Sequence, residues 1–99
     1  MLKVLRYVSV PAFGDPEGVE VDPRTGHVWV LNDAPTTVLY EMTTDGVVLN
    51  LWRIEQLTGG YQDANSVAAT RDWILIGFDT ERKVVVFTKE DPRPPKQLF

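Results

Sequence analysis

Oxygen-bearing side chains recur at matching places along the chain: Glu17, Asn32 and Asp33 in the first half, then Asp63, Asn65 and Asp79 in the second. Carboxylate and amide oxygens are hard ligands. A set of this kind suits Ca²⁺, which takes about six to eight oxygens in flexible geometry, better than it suits Zn²⁺. Glu17, Asn65, Asp33 and Asp79 are therefore the candidate metal ligands, and Ca²⁺ is the cofactor they would take. Asp and Asn have a commoner use, however. They accept hydrogen bonds from nearby backbone and tolerate turn conformations, so a turn or cap role is the default for each. Glu17 with Asp33 also forms a formal acid/base pair, for which the sequence supplies neither separation nor burial.

Other chemistry is sparse. The chain has no cysteine and one histidine, which removes disulfides, zinc knuckles and a thiol nucleophile. His27 opens a strand beside a turn, and Ser9 and Ser66 have no nucleophile motif around them. Gly59-Gly60 is not followed by the Lys-Ser/Thr of a phosphate loop. Trp29 lies between two valines and Trp73 begins a comparable run, so core packing is expected of both. Trp52, with Arg53 beside it and Tyr61 in the Gly-Gly loop, is the candidate surface for a carbohydrate or protein partner.

Charge and length narrow the class further. Ten Lys+Arg against 14 Asp+Glu give a formal net charge of −4 over 99 residues, with no basic stripe of the kind that contacts phosphates, so nucleic acid is not expected as a partner. No apolar run approaches the roughly 20 residues that span a bilayer, and Met1–Arg6 has too short an apolar stretch for a signal peptide. The expected location is cytoplasmic by default, with no membrane partner. With 43% apolar residues, the chain reads as one domain, residues 1–99, with a small core.

The elements that must position these residues are strands at short, even spacing. Leu2–Val10 alternates and ends at Pro11. Glu17–Asp22 alternates into the turn cluster Asp22-Pro23-Arg24-Thr25-Gly26 and returns as His27–Leu31. Thr37–Met42, the Asp45-Gly46 hairpin signal and Val47–Ile54 follow. After the soft stretch 56–62 the pattern restarts with Asn65–Thr70, Trp73–Gly77 and Lys83–Thr88, and the tail after Asp91 is proline-rich. No segment carries a helical period of useful length. The fold class is all-β, an antiparallel meander.

The meander repeats. Val19 matches Val67 at a shift of 48 residues, whereas Val28, Val30, Asp33 and Val38 match Ile74, Ile76, Asp79 and Val84 at a shift of 46. The two-residue change falls in the first hairpin turn, where insertions are tolerated. A unit of about 46 residues with four short strands is the period of a β-propeller blade, giving blade 1 at about 13–57 and blade 2 at about 63–99. The stretch Phe13-Gly-Asp-Pro-Glu-Gly-Val-Glu-Val-Asp-Pro-Arg-Thr-Gly-His-Val-Trp-Val30 resembles the blade opening of NHL-repeat propellers, and Glu81–Phe87 is similar to their third strand. The opening also resembles that of gluconolactonase-like propellers. That resemblance implies that Glu17, in Pro16-Glu17-Gly18, ligates a metal.

Two blades do not close a propeller, which needs about four to eight. Left alone, they would expose apolar sheet faces built from residues such as Val19, Trp29, Val30, Leu39, Ile74, Ile76 and Val85. Identical chains assembling a ring, a longer chain, or a second protein would each complete the object. The extra strand Leu2–Val10 and the absent fourth strand of the second copy favour a homo-oligomer, trimer or tetramer, in which residues 2–10 complete the second blade of a neighbour. The expected function is then a non-enzymatic binding or structural module within a larger assembly, a style shared with virion components. The alternatives are a Ca²⁺-dependent lactonase or esterase and a multivalent carbohydrate-binding protein. In either copy, Glu17, Asn32, Asp33, Asp63, Asn65 and Asp79 fall on one rim, and Arg24, Asp45 and Arg71 on the other.

Overall fold

In a computed structural model of the chain, residues 1–10, 14–33 and 35–89 are described. The proline-rich tail after Asp91 lies outside them. Seven strands form two antiparallel meanders. The first is β1 (Pro16–Val21), β2 (Val28–Asn32), β3 (Val38–Met42) and β4 (Val48–Arg53), paired in that order. The second is β5 (Ala64–Ala69), β6 (Trp73–Phe78) and β7 (Lys83–Thr88), likewise in sequence order. Pairing of consecutive strands requires only hairpin turns, which the Asp-Pro-Arg-Thr-Gly and Asp-Gly clusters provide.

The repeat is present in the backbone register. β1 pairs β2 as Val19 with Val30, and β5 pairs β6 as Val67 with Ile76, the equivalents expected from the sequence. Both first strands are irregular at the same place, between Pro16 and Gly18 and between Ala64 and Ser66. The third strands correct the alignment. Leu31 pairs Leu39 in the first sheet, and its equivalent Gly77 pairs Val84 in the second. Val84 therefore corresponds to Leu39 and not Val38. The connection 33–37 is one residue longer than 79–82, so the shift drops from 46 to 45 there.

The sheets pack face to face. Trp29, Leu31, Leu39 and Trp52 of the first sheet meet Ala64, Ile74, Ile76 and Phe78 of the second, with Val67, Ala69, Val85 and Phe87 packed around them. Most residues expected on exposed faces, Trp29, Leu39, Ile74, Ile76 and Val85, thus lie in this junction. Gly18 marks its tightest point: a Cβ there would sit 3.2 Å from Val67 Cγ1 and 3.5 Å from the Val67 backbone nitrogen, so a side chain would separate β1 from β5.

Two expectations about elements change. Residues 54–58 form a short helix, α1 (Ile54–Thr58), which buries Ile54 and stops at Gly59 in the left-handed region, φ 78°. Five residues are too few to display a helical period in sequence. Leu2–Val10 is not a strand within the single chain. It runs instead over the first sheet's other face. Val10 packs against the cluster Val30, Val38, Tyr40 and Met42, and Val8 approaches Gly46, whose φ of 97° and lack of a Cβ make room for it.

Candidate functional site

The bulges at the start of β1 and β5 decide where the rim residues go. An extra residue in one strand of an antiparallel pair is left out of the ladder and re-aims its side chain. Glu17 and Asn65 occupy these two positions. In the first sheet the Asp33 N–H donates to the Asp15 carbonyl at 2.9 Å, and in the second the Asp79 N–H donates to the Asp63 carbonyl at 3.3 Å. Each bulge thus gathers three polar side chains at equivalent positions: Asp15, Glu17 and Asp33 in one, Asp63, Asn65 and Asp79 in the other.

The two sets differ in charge and therefore in chemistry. Asn65 donates its amide to the Asp79 carboxylate, and the Thr80 hydroxyl donates to Asp63 at 3.0 Å. This half is internally satisfied. In the other half, carboxylate oxygens of Asp15, Glu17 and Asp33 lie within 4.8 Å of one another. The Asp15 hydrogen bond and charge push the Glu17 carboxyl up from its ordinary value, and desolvation and the charges of Asp33 and Asp63 add to the effect. Oxygens about 2.4 Å from a common Ca²⁺ are at most about 4.8 Å apart, so the spacing of this trio fits one such ion.

Of the four ligands expected, the structure brings Glu17 and Asp33 into one trio and joins Asn65 to Asp79 in the other. Asp15 was missed as a ligand. Its signal was present, because the 48-residue shift maps it onto Asp63, a residue already assigned to the rim. Beside the trios lies an open cavity of about 390 Å³ bordered by Asp33, Thr37, Glu55, Gln62, Asp63 and Glu81. Among the described residues, the Glu81 Oε1 atom is buried without a hydrogen-bond partner.

The structure does not bring Trp52, Arg53 and Tyr61 together on one exposed surface. Trp52 is buried, its ring 5.6 Å from that of Trp29 at an interplanar angle of 32°. Strand alternation directs exposed Arg53 to the opposite side of β4. Tyr61 stands edge-on to Phe78 at 5.4 Å, and its hydroxyl accepts a hydrogen bond from Lys83 Nζ at 3.0 Å. The reason is parity: Trp52 pairs with Leu39, and both point into the junction between the sheets. His27 contacts Glu41, 2.9 Å from Nδ1 to Oε2, at the opposite rim from Glu17.

A second polar centre was not foreseen. Asp22, 1% exposed, accepts from Lys89 Nζ, from the Trp29 indole N–H at 2.9 Å, and from the backbone N–H groups of Arg24 and Thr25 at 2.8 and 3.2 Å. Lys89 Nζ also donates to the carbonyls of Thr70 at 2.7 Å and Arg71 at 2.9 Å. Burial alone would push the Asp22 carboxyl up, but the hydrogen bonds from Lys89, Trp29 and the two backbone groups outweigh it and hold the group down to about 2. This ion pair ties the first hairpin of one sheet to the turn and last strand of the other, which is a structural role. Its partners lie 67 residues apart, beyond the reach of local pattern.

Comparison of the chain with models of known protein families, with curated proteins and with solved structures finds no match. Among the described residues no helix is long and apolar enough to cross a membrane.

Proposed function

We propose that the chain is a non-enzymatic structural or binding module whose copies join head to tail into a closed ring of sheets, a β-propeller. One observation carries this reading. The outer faces of the two sheets are, by the internal repeat, the same two faces that already meet inside the chain. The first sheet uses Gly18, Trp29, Leu31 and Leu39 in the junction; their equivalents in the second sheet, Ser66, Leu75, Gly77 and Val84, lie on its open side. Conversely, Val67, Ala69, Ile74, Ile76 and Val85 face the junction, and their equivalents Val19, Val21, Val28, Val30 and Tyr40 lie on the far side of the first sheet.

Both outer faces are apolar, and on the first sheet Val10 covers Val30, Val38, Tyr40 and Met42. Val84, Val86 and Trp73 are 63%, 54% and 51% exposed on the second sheet, and Val19 and Val21 are 67% and 56% exposed on the first. Joining one to the other repeats the existing junction, and such a head-to-tail contact closes into a ring when its rotation divides the full circle. Three copies give six sheets and four give eight, both within the range of closed propellers. Native mass spectrometry tests this. A species at three or four times 11.2 kDa supports the ring, and a single-chain mass at micromolar concentration overturns it.

A second reading has its own observation. The Asp15, Glu17 and Asp33 trio, with carboxylate oxygens within 4.8 Å of one another, favours Ca²⁺ binding at the rim. It supplies no nucleophile, so it supports an ion site ahead of a hydrolase. With Trp52 in the core, a carbohydrate platform on Trp52, Arg53 and Tyr61 has no support in the geometry.

A further inference from the structure

The face of the first sheet that a ring would use is already occupied within the single chain. Val10 packs on Val30, Val38, Tyr40 and Met42, Val8 lies against Gly46, and Arg6 Nη1 donates to the Thr44 carbonyl at 3.5 Å. We infer that residues 6–10 form an autoinhibitory strap, which competes with a second copy's second sheet for this face and must lift before the two copies join. The inference rests on the ring reading and adds its regulation.

The internal repeat shows that the competition is for the same atoms. Val28, Val30, Tyr40 and Met42 are the equivalents of Ile74, Ile76, Val85 and Phe87. Within the chain those four are covered by a whole sheet, through Trp29, Leu31, Leu39 and Trp52. On the first sheet, Val10 stands where such a sheet would rest. Stacked sheets lie about 10 Å apart, a gap that the side chains of the two inner faces fill. A further length of backbone between them would hold them apart, so strap and neighbour exclude one another.

The strap is held lightly. It belongs to neither sheet, and its anchor is Val10, half-buried, with Val8 still 37% exposed. Toward the free end, Leu2, Leu5 and Tyr7 are almost wholly exposed. Docking of the strap is intramolecular and does not depend on concentration, whereas docking of a neighbour does. The strap therefore sets the concentration at which copies join. The apparent dissociation constant is the intrinsic one divided by the fraction of chains whose face is bare. Burying about one valine keeps that fraction on the order of one in ten.

Native mass spectrometry over a dilution series of the full chain tests the inference. The double substitution V8S/V10S removes the two valines that hold the strap. L2S removes apolar area from the same segment at a residue 99% exposed, and serves as the control. The expected result is a ring for the unaltered chain at micromolar concentration, and for V8S/V10S a ring that persists to concentrations at least about tenfold lower. Equal midpoints for the two, a ring weakened by V8S/V10S, or a gain matched by L2S overturns the strap and leaves the ring standing. Single-chain masses for both chains at micromolar concentration overturn the ring and the strap together.

Discussion

Asp22 and Lys89 show how much can depend on two side chains. Their charges are nearly excluded from solvent, at 1% and 3% side-chain exposure, and each is saturated with hydrogen bonds. Removing one partner strands the other in the junction between sheets, which costs about 3–5 kcal/mol, whereas deleting both with apolar replacements costs much less. Lys89→Met is therefore expected to destabilise severely in urea denaturation, and Asp22→Leu/Lys89→Met less than either single change. The pH dependence follows from the same pair. The Asp22 carboxyl lies lower in the folded chain than in the unfolded one, so the unfolded state takes up its proton first as pH falls. The stabilisation is complete above about pH 4 and is lost as pH drops from about 4 towards 2. Fold-stability curves over that window measure it.

At the scale of the element, the paired bulges matter most. They are the same irregularity at equivalent places, yet Glu17 in one and Asn65 in the other make the first repulsive and the second self-satisfied. Because the Glu17 carboxyl is raised by folding, its contribution runs opposite to that of Asp22: the chain loses stability as pH rises through the Glu17 titration. Glu17→Gln is expected to raise the melting temperature at pH 7 in chelator and to leave it nearly unchanged at pH 4. Millimolar Ca²⁺ is expected to raise the melting temperature of the unaltered chain and not that of Glu17→Gln. Equal melting curves with and without Ca²⁺ would remove the ion site. The strand signals in the sequence placed the starts of these two strands within a residue of their position. They did not reveal the bulges themselves, because only one strand residue precedes each bulge, too few for the break in alternation to show.

For the whole molecule, the decisive property is that the internal junction uses up one face of each sheet and leaves exposed Val84, Val86 and Trp73 on the second sheet's outer face and Val19 and Val21 on the first's. Val86 is 54% exposed in the single chain, so a charge there costs the isolated fold little, but in the ring it would be buried without a partner. Val86→Asp is expected to give a single-chain mass with an unchanged far-ultraviolet circular dichroism spectrum. A ring that persists in Val86→Asp places the interface elsewhere.

The chain's alternation and turn clusters mark eight strands, of which all but Leu2–Val10 form the two antiparallel meanders among the described residues, because period-two polarity and turn chemistry are local properties. The repeat also determines which residues are equivalent, and hence that Glu17 and Asn65 occupy matching places. Tertiary structure decided the rest. It chose which parity of each strand enters the junction, burying Trp52 with Trp29 and opening Val84 and Val86, since alternation marks two faces without saying which meets another sheet. It brought Asp15 beside Glu17 and Asp33 through a bulge, and Lys89 onto Asp22 across 67 residues. Contacts of that kind depend on how two sheets stack, and no local pattern encodes the stacking.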